Sequence, residues 1–517
     1  MNSDFVPKFG TTIESLPEFV ISFLTASATF FIFVVGLLFL AVAVIFVLDV
    51  TQTKYAVRRN YPVIGRLRHI FELLGKFFRQ YFFAMDREEM PFNREHREWV
   101  YRAAKNLDNT VPFGSTQDLR PTGTVLFVNC PFPTAERDAV VTRPLVIGPY
   151  CKHPYMTGSL FNISGMSFGS ISKPATLALS NGARLAGCWM NTGEGGLSPW
   201  HLEGGADLVY QIGTAKFGVR NGTGELDEEK LAHVAAYEQV RMFEVKLSQG
   251  AKPGKGGILP GVKVTEEIAA IRGIPVGQDS ISPNRFQEIN SVPELLDFID
   301  RVRTVTGKPT GVKMVVGAWG WLDELFEEIN QRGVEHGPDF ITVDSGDGGT
   351  GAAPMSLIDC VGLPIQESLP MVVDKLVEHG LRDRIRVVAS GKLITPSGVA
   401  WALCVGADFV TSARGFMFAL GCIQSLQCNK NTCPTGVTTH NPRLQRGLNP
   451  RDKAARVKNY AMNMMREVCV IAHSCGVPEP RRLQRRHCRV MRPDGRSVPL
   501  DEVYPSPRPR LASPDAA

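Results

Sequence analysis

The sequence predicts an α/β protein built on a (β/α)8 TIM-like barrel, with an N-terminal transmembrane helix and a small connecting subdomain. Three observations lead to this prediction. Short β-rich runs alternate with helical segments from about residue 155 onward, and glycine-rich strings follow most of those runs. An uncharged apolar stretch lies close to the N-terminus. Strands that alternate with helices are typical of a parallel sheet, and eight such units are typical of a barrel.

Eight β-rich runs supply the strands of the predicted barrel. Segments of helical pattern lie between them, among them KPATLALSNGARLAG and SVPELLDFIDRVRTVTG. No G-x-G-x-x-G string follows a run and opens a helix, so a doubly wound dinucleotide-binding fold is less favoured. The runs are Phe161–Ser164, Cys188–Asn191, Val209–Gly213, Phe243–Leu247, Val312–Val316, Phe340–Val343, Arg386–Ala389 and Phe409–Thr411.

The N-terminal segment from Phe19 to Leu48 contains no charged residue. It is long enough to cross a hydrocarbon core of about 30 Å. A signal peptide is disfavoured because the leader is acidic and the apolar run is long. Basic residues follow the run, and the positive-inside rule predicts a single-pass protein of the inner (cytoplasmic) membrane with its catalytic domain in the cytoplasm. Those residues are Lys54, Arg58, Arg59, Arg66 and Arg68.

The chain is expected to divide into five parts. Residues 62–84 mix apolar and basic positions at helical spacing, and they either lie on the membrane surface or pack on the following domain. The basic C-terminal part lacks interleaved aromatic residues, so a solvated tail is expected and nucleic acid is not an expected partner. The parts are a leader (1–18), the transmembrane helix (19–50), a juxtamembrane helix with the connecting subdomain (51–150), the barrel with a cysteine-containing loop (151–480) and a basic, Pro-rich tail (481–517).

The glycine-rich strings indicate a site for a phosphorylated ring cofactor, for which FMN is suited. Barrels commonly bind phosphate with the loops after their last two strands, which here contain Gly391-Lys392 and Ser412-Ala413-Arg414. A single such loop is equally typical of an ordinary tight turn. Lys246 and Lys313 fall within strands, where a buried lysine needs a partner, and the pyrimidine ring of a reduced flavin would be one.

Three cysteines, Cys422, Cys428 and Cys433, form a Cys-x5-Cys-x4-Cys pattern in an irregular loop. Thiolates select iron–sulfur clusters, zinc or Cu(I), and three ligands suit a [3Fe-4S] cluster. Buried cysteines that act as small hydrophobic residues are the alternative. The chain has eleven cysteines, an odd number, and this favours a reducing cytosol over a disulfide framework.

The span from about Phe161 to Pro442 resembles the FMN-binding synthase domain of glutamate synthase. The motifs that carry the resemblance are GMSFGSIS, NTGEGG, KLSQGAKPGKGG followed by LPG and KV, SGDGGTGA, and GC-x5-C-x4-CP-x-GV. The architecture resembles the short, membrane-anchored, single-domain relatives of that enzyme. The resemblance implies a TIM-like barrel, FMN, a [3Fe-4S] cluster and reductive amination of 2-oxoglutarate to L-glutamate through 2-iminoglutarate.

The resemblance also implies roles for individual residues. Glu194 would lie near the flavin and the imino carbon, Lys252 and Arg272 would hold a dicarboxylate, and Cys422, Cys428 and Cys433 would bind the cluster. The implied flavin site comprises Ser164, Met166, Ser167, Asn191, Gln211, Lys246, Lys313, Asp347, Gly348, Gly349, Gly391, Lys392, Ser412 and Arg414.

Two positions depart from the family pattern. Ile258 stands where the family has a glutamine that contacts the substrate, and Lys255 replaces an acidic residue. A different 2-oxo acid or a primary amine, as in N-alkylglutamate synthesis, is therefore an alternative, and a non-catalytic electron-transfer subunit is another. Neither glutaminase machinery nor an NADPH-binding sequence is evident. The expected partners are free ammonia or an amine and a ferredoxin-like or other electron donor.

Overall fold

A computed structural model describes residues 17–318 and 320–507 of the chain. Within these ranges the chain forms two compact units, one ending at Arg94 and the other beginning at Glu95. Most of the predicted leader (residues 1–18) and the last ten residues of the predicted tail lie outside the described residues.

The first unit consists of helices. It contains one long apolar helix, a short helix, an amphipathic helix and a π-helical turn. Among the described residues, only the long helix has the length and composition to cross a membrane. It begins one residue before the predicted span of 19–50 and ends one residue after it. The bounds are α1 Glu18–Thr51, α2 Ala56–Asn60, α3 Ile64–Phe78 and the π-helical turn Arg79–Phe83.

A buried carboxylate joins the end of α1 to the beginning of α3. Asp49 has no exposed surface. It accepts a hydrogen bond from the backbone N–H of Val63 at 3.0 Å and forms an ion pair with Arg66 at 2.7 Å. The Nε of Arg66 donates to both carboxylate oxygens, at 2.9 and 3.0 Å. The first turn of α3 is therefore held against the last turn of α1.

The second unit opens with one helix and three short strands, which precede the barrel. Strands β2 and β3 pair as an antiparallel hairpin. Ile147 and Tyr155 of this hairpin are buried in a cluster of residues from the beginnings of the barrel strands and from Trp189, so the hairpin closes the N-terminal end of the barrel. The bounds are α4 Arg94–Ala104, β1 Val125–Phe127, β2 Leu145–Ile147 and β3 Tyr155–Thr157.

The barrel has eight parallel strands, as predicted. It closes between β13 and β4, where Val410 pairs with Phe161, and each of the eight predicted runs overlaps one strand. A separate hairpin, β8 Ile258–Leu259 with β9 Ser280–Ile281, lies in the chain between β7 and β10. The barrel strands are β4 Phe161–Ile163, β5 Met190–Asn191, β6 Leu208–Ile212, β7 Val240–Lys246, β10 Thr310–Val315, β11 Phe340–Asp344, β12 Arg386–Ser390 and β13 Phe409–Ser412.

The helices between the strands have the end signals that their sequences predict. In α5, Ser172 caps the N-terminus by accepting from the N–H of Ala175, Pro174 lies in the first turn, and Gly187 ends the helix at φ +69°. The helices of this unit after α4 are α5 Lys173–Ala186, α6 Pro199–Glu203, α7 Glu228–Ala235, α8 Glu266–Arg272, α9 Val292–Thr306, α10 Gly320–Arg332, α11 Met355–Ile358, α12 Ile365–Glu378, α13 Pro396–Val405, α14 Arg414–Leu420, α15 Pro442–Gln445, α16 Pro450–Ser474 and α17 Leu500–Val503.

The prediction of a solvated tail from residue 481 was wrong for its first part. Strand β14 Cys488–Met491 pairs with β1 on one side and with β15 Ser497–Pro499 on the other, all antiparallel. The basic Arg485 is buried because it forms an ion pair with Asp374 and donates to the carbonyl of Tyr504 at 2.8 Å. The second unit begins at Glu95, well before the predicted barrel boundary at 151, and α4 near its start contacts a distant part of the same unit, since Nδ2 of Asn463 donates to the carbonyl of Ala103 at 2.8 Å.

Candidate active site

A large cavity, with about 1280 Å³ of empty space that includes an opening to solvent, lies at the C-terminal end of the barrel. Loops after the strands and the β8–β9 hairpin form its walls. The cavity brings together predicted residues that lie on, or in the segments after, all eight barrel strands. These are Ser164, Met166, Ser167, Glu194, Gln211, Lys246, Lys252, Arg272, Lys313, Gly349, Gly391, Lys392, Ser412, Arg414 and Cys428.

The floor of the cavity is organised by a carboxylate that the sequence analysis missed. Glu244 is buried in β7, where it accepts hydrogen bonds from Asn191 (2.8 Å), Gln211 (2.6 Å) and Thr342 (2.7 Å). Asn191 lies below the main cavity and lines a smaller enclosed cavity with Glu244. A glutamate between Phe243 and Val245 inside a β-rich run is the signal that could have identified this residue, because an unpaired buried carboxylate is costly.

Glycine gives the floor its flat surface above these amides. A Cβ atom added to Gly165 would lie 2.9 Å from Oδ1 of Asn191 and 3.0 Å from Nε2 of Gln211. These distances are shorter than ordinary van der Waals contact. A side chain at this position would press on two amides that Glu244 holds, whereas glycine leaves its backbone open to the cavity.

Two buried lysines at the ends of adjacent strands are each paired with a carboxylate. Lys246 lies 3.0 Å from Oε1 of Glu194, and Lys313 lies 3.2 Å from Oδ2 of Asp344. Burial lowers the pKa of Lys313, but Asp344 and Glu244 outweigh this effect, so its pKa is raised overall. Each lysine therefore has a partner within the protein. Asp344, which the sequence analysis also missed, ends β11 and accepts from the N–H of Gly250 at 3.0 Å.

Glu194 is the only predicted catalytic carboxylate, and three cations act on it. Burial alone would raise its pKa. Lys246, Lys252 and Arg272 outweigh that effect and hold the pKa below its usual range. Gly213 lies beside it, where an added Cβ would be 2.7 Å from the Cβ of Glu194. The glutamate is thus an ionised carboxylate in a confined position at the cavity wall.

Lys252 and Arg272 contribute positive charge that the protein only partly compensates. Burial lowers the pKa of Lys252 to about 8, although Glu194 acts in the opposite direction. The guanidinium of Arg272 donates to Ser280, Ser167 and the carbonyl of Phe168 at 3.1–3.3 Å. Its Nε is buried without a hydrogen-bond partner among the described residues. The site therefore holds cations that an anionic ligand would complement.

Ile258 lies at the same cavity wall, at the beginning of the β8–β9 hairpin. It pairs with Ile281 across that hairpin, and the preceding Gly257 lies against the carboxylate of Glu194. The side chain that departs from the family pattern is thus close to the candidate catalytic carboxylate. An apolar surface replaces a hydrogen-bonding one at this position.

The loops after β12 and β13 form another part of the cavity wall. Gly391 has a φ of +117°, which only glycine adopts readily, and Lys392 follows it. Lys392 forms an ion pair with Asp347 at 2.7 Å, and Asp347 also accepts from Ser345. Arg414 donates to the carbonyl of Thr350 and packs against Gly349. Asp347 and Gly348 do not line the cavity; they support the residues that do.

The three predicted cluster ligands lie in one loop next to the cavity. Cys422 and Cys433 are buried, and Cys428 reaches the cavity wall, where Arg414 lies 3.8 Å from its sulfur. Burial raises the pKa of Cys422 to about 11. Burial has the same tendency at Cys433, but hydrogen bonds from Thr435 and Thr438 outweigh it and lower that pKa. No three His, Cys, Asp or Glu side chains of the described residues are arranged to hold a single metal ion.

A lysine that the sequence analysis missed links this loop to the barrel. Lys263 is buried, and its ammonium donates to the carbonyl of Ser170 at 2.7 Å and to that of Cys428 at 3.2 Å. On the other side of the loop, the hydroxyl of Tyr101 donates to the carbonyl of Cys422 at 2.6 Å. The backbone of the cysteine loop is therefore held in place by side chains from two distant parts of the second unit.

Comparison with known proteins identifies the family. A family model described as the conserved region in glutamate synthase matches residues 141–478. The chain belongs to the glutamate synthase family. It is 39% identical over 513 residues to the glutamate synthase large subunit-like protein YerD of Bacillus subtilis (strain 168), with 91% of this chain and 97% of that protein covered. The wider family is represented by an archaeal-type glutamate synthase (NADPH) of Thermotoga maritima, 35% identical over 316 residues.

The extent of these matches differs between relatives. The Thermotoga alignment covers 61% of this chain and 59% of the enzyme, so the chain matches about three fifths of the length of that relative. Among solved structures, the flavin-binding domain of baker's yeast flavocytochrome b2 is similar at a TM-score of 0.45 and 15% identity, covering 82% of this chain and 86% of that one.

We predict that dicarboxylate binding in the cavity weakens as the pH rises through about 8. Lys252 is cationic below its pKa of about 8 and neutral above it, so the attraction for an anion is lost on the alkaline side. The dissociation constant of glutarate, measured by calorimetry, should rise by up to about tenfold between pH 8 and pH 9. The Lys252→Met variant should bind glutarate weakly, with a dissociation constant that does not change over this pH range. The Lys252→Arg variant should still bind glutarate at pH 9. An unchanged profile in Lys252→Met would contradict the assignment.

Proposed function

We propose that the protein is a flavin and iron–sulfur oxidoreductase that reductively aminates a 2-oxo acid, with 2-oxoglutarate and L-glutamate as the reference substrate and product. The observation that carries the proposal is the grouping of Glu194, Lys246, Lys252 and Arg272 in one buried cavity. Membership of the glutamate synthase family supports an oxidoreductase with a flavin cofactor. The identity of the substrate, the presence of the iron–sulfur cluster and the roles of the individual residues are the parts that we propose.

The residues of the cavity fit FMN. The floor at Gly165 would accept the ring, and Lys246 and Lys313 would stand beside a pyrimidine that carries negative charge on reduction. Gly391, Lys392, Ser412 and Arg414 would hold the phosphate at the opposite end, where two cations offset its charge. When bound and reduced, FMN supplies hydride for the imine carbon. The remaining predicted contacts, from Ser164, Met166, Ser167, Asn191 and Gln211, belong to the ring end of this arrangement.

The three cysteines fit a [3Fe-4S] cluster by the chemistry of the donor set. A single ion gathers its ligands around one point, whereas each cysteine of a cluster binds a different iron and the sulfurs lie farther apart. Cys433 is already biased toward the thiolate form that a metal requires. Cys428 lies at the cavity wall, on the side of Arg414. A cluster there would relay electrons from an external donor, ferredoxin-like or other, into the cavity.

The protein's own residues would bind and orient the substrate. Condensation of ammonia with the 2-oxo acid releases water and gives an imino acid, and hydride plus a proton convert this to the amino acid. Lys252 and Arg272 would neutralise its carboxylates, with the unpaired Nε of Arg272 available as a further donor. Glu194, held ionised by three cations, would accept hydrogen bonds from the nitrogen of ammonia or the imine and so place it.

Ile258 is the residue expected to set the preference for the amine or acid. Its side chain presents an apolar wall next to Glu194, where the amine nitrogen would lie. An alkyl group on the amine would be buried against this wall, and one methylene contributes about 0.8 kcal/mol when it is fully buried. A primary amine in place of ammonia is therefore the second candidate substrate.

The apolar helix α1 is proposed to anchor the protein in the cytoplasmic membrane. At about 1.5 Å per residue its 34 residues span more than the hydrocarbon core, and basic residues follow its C-terminal end. The second unit would then be cytoplasmic. Protease added to sealed inside-out vesicles should digest that unit, and digestion only in right-side-out vesicles would refute this orientation.

Purified under anaerobic conditions, the protein should carry about one FMN and about three irons per chain. Cys428→Ser should lose iron and the associated visible absorption while FMN content and thermal stability stay close to wild type. Cys360→Ser, at an exposed cysteine far along the chain from the loop, is the matched control and should keep both cofactors. Stoichiometric zinc in place of iron would refute the cluster assignment.

Reoxidation of the reduced flavin by a 2-oxo acid plus ammonia or an amine tests the reaction itself. Loss of the charged hydrogen bonds in Arg272→Ala should weaken acid binding by one to two decades, because such bonds are worth about 1.5–3 kcal/mol. Ile258→Gln should favour 2-oxoglutarate with ammonia over an alkylamine. Ile281→Gln, at the exposed partner of Ile258 in the same hairpin, is the control. It should change neither the affinity for the acid nor the preference between ammonia and an alkylamine.

Stopped-flow absorbance of the flavin band measures these rates for each variant. If no 2-oxo acid reoxidises the flavin in any variant, or if Arg272→Ala behaves as wild type, the reductive amination proposal fails. The non-catalytic electron-transfer role would then be the better explanation of a chain that keeps its cofactors.

A further inference from the structure

We propose that α3 and the π-helical turn after it lie along the surface of the membrane, with one face immersed at the level of the lipid headgroups. The partner of this surface is a bilayer leaflet that contains anionic lipid. The inference rests on the proposed membrane anchor, because it places the surface beside the end of α1. It adds a second membrane contact to the anchoring helix.

The apolar face of α3 is continuous and exposed. At 100° per residue, Leu67, Ile70, Phe71, Leu74, Phe77 and Phe78 fall on one side of the helix, and all six side chains are exposed. The π-helical turn extends the face with Phe82 and Phe83, each about three-quarters exposed. An apolar surface of this size is rarely left in water, and aromatic and leucine side chains are typical of helices that lie at a membrane interface.

The contact with α1 fixes where this face begins. Asp49, in the last turn of α1, binds both the N–H of Val63 and the side chain of Arg66. The first turn of α3 is therefore at the level where the apolar helix ends. For a membrane-spanning α1 that level is the boundary between hydrocarbon and headgroups. The exposed face of α3 then starts at the membrane boundary.

Charge complementarity favours a lipid surface over a second protein copy. Lys54, Arg59, Arg68 and Arg79 are exposed, and Arg58 is half-buried. Glu72 is the acidic residue on α3 itself, and it is paired with Arg68 at 2.9 Å. Basic residues at the cytoplasmic boundary are attracted to anionic headgroups, whereas two copies of this surface would repel one another.

Photocrosslinking of the full-length protein tests the inference. The photoreactive residue p-benzoylphenylalanine is placed at Phe71 or Phe78 on the apolar face, and at Glu72 on the polar face as the matched control. The protein is reconstituted into nanodiscs of phosphatidylcholine with a minority of phosphatidylglycerol, irradiated and analysed by mass spectrometry. Positions 71 and 78 should give about tenfold more lipid adduct than position 72, because only they are immersed.

The same probe at Phe39, in the middle of α1, separates the two membrane proposals. Lipid adducts at Phe39 without adducts at Phe71 and Phe78 would overturn the interfacial position of α3 and leave the anchor intact. Absence of adducts at Phe39 would refute the anchor itself. Crosslinks from Phe71 to a second copy, or to residues 95–507 of the same chain, would overturn the inference in favour of a protein partner. Equal lipid adducts at positions 71 and 72 would also overturn it, because no single face would then be immersed.

Discussion

The pairing of buried lysines with buried carboxylates is the constraint on which the barrel mouth depends. Two ion pairs, Lys246 with Glu194 and Lys313 with Asp344, remove four charged groups from water. Each of these groups would be costly to bury without its partner. Removing one member of such a pair typically costs about 3–5 kcal/mol. The first pair ties the end of β7 to the loop that carries Glu194, and the second ties β10 to the end of β11. The surplus charge of Lys252 and Arg272 is tolerable only next to these carboxylates, and it gives the cavity its attraction for anions.

Much of the fold could be predicted because the local signals agree with one another. The alternation of β-rich runs with segments of helical pattern identified all eight strands, and the bounds differ from the structure by a few residues. Local signals agree with the structure elsewhere too: Ser172 and Gly187, at the two ends of α5, act on backbone groups only a few residues away in the chain. The cavity residues could be anticipated for a related reason, since the ends of parallel strands necessarily meet at one end of a barrel.

The features that escaped prediction depend on partners distant in the sequence. Glu244 is stable in a strand only because Asn191, Gln211 and Thr342 converge on it. Lys263 is buried because two carbonyls on separate loops accept from it. The basic segment after residue 480 has the composition of a solvated tail, but it is ordered by pairing with a strand from the beginning of the second unit. Composition does not report such pairing.

That pairing has a consequence for biosynthesis. Strand β1 is made before the barrel strands, its partner β14 is made after them, and the barrel closes only when β13 reaches β4. Helix α1 is translated before both events. Until β13 and β14 emerge, the nascent chain would thus hold an unpaired edge strand and an open sheet, both prone to aggregation. In the proposed membrane-anchored form, early insertion of α1 into a bilayer would keep growing chains apart from one another. Helix α1 would then assist folding as well as fix the location of the protein at the membrane.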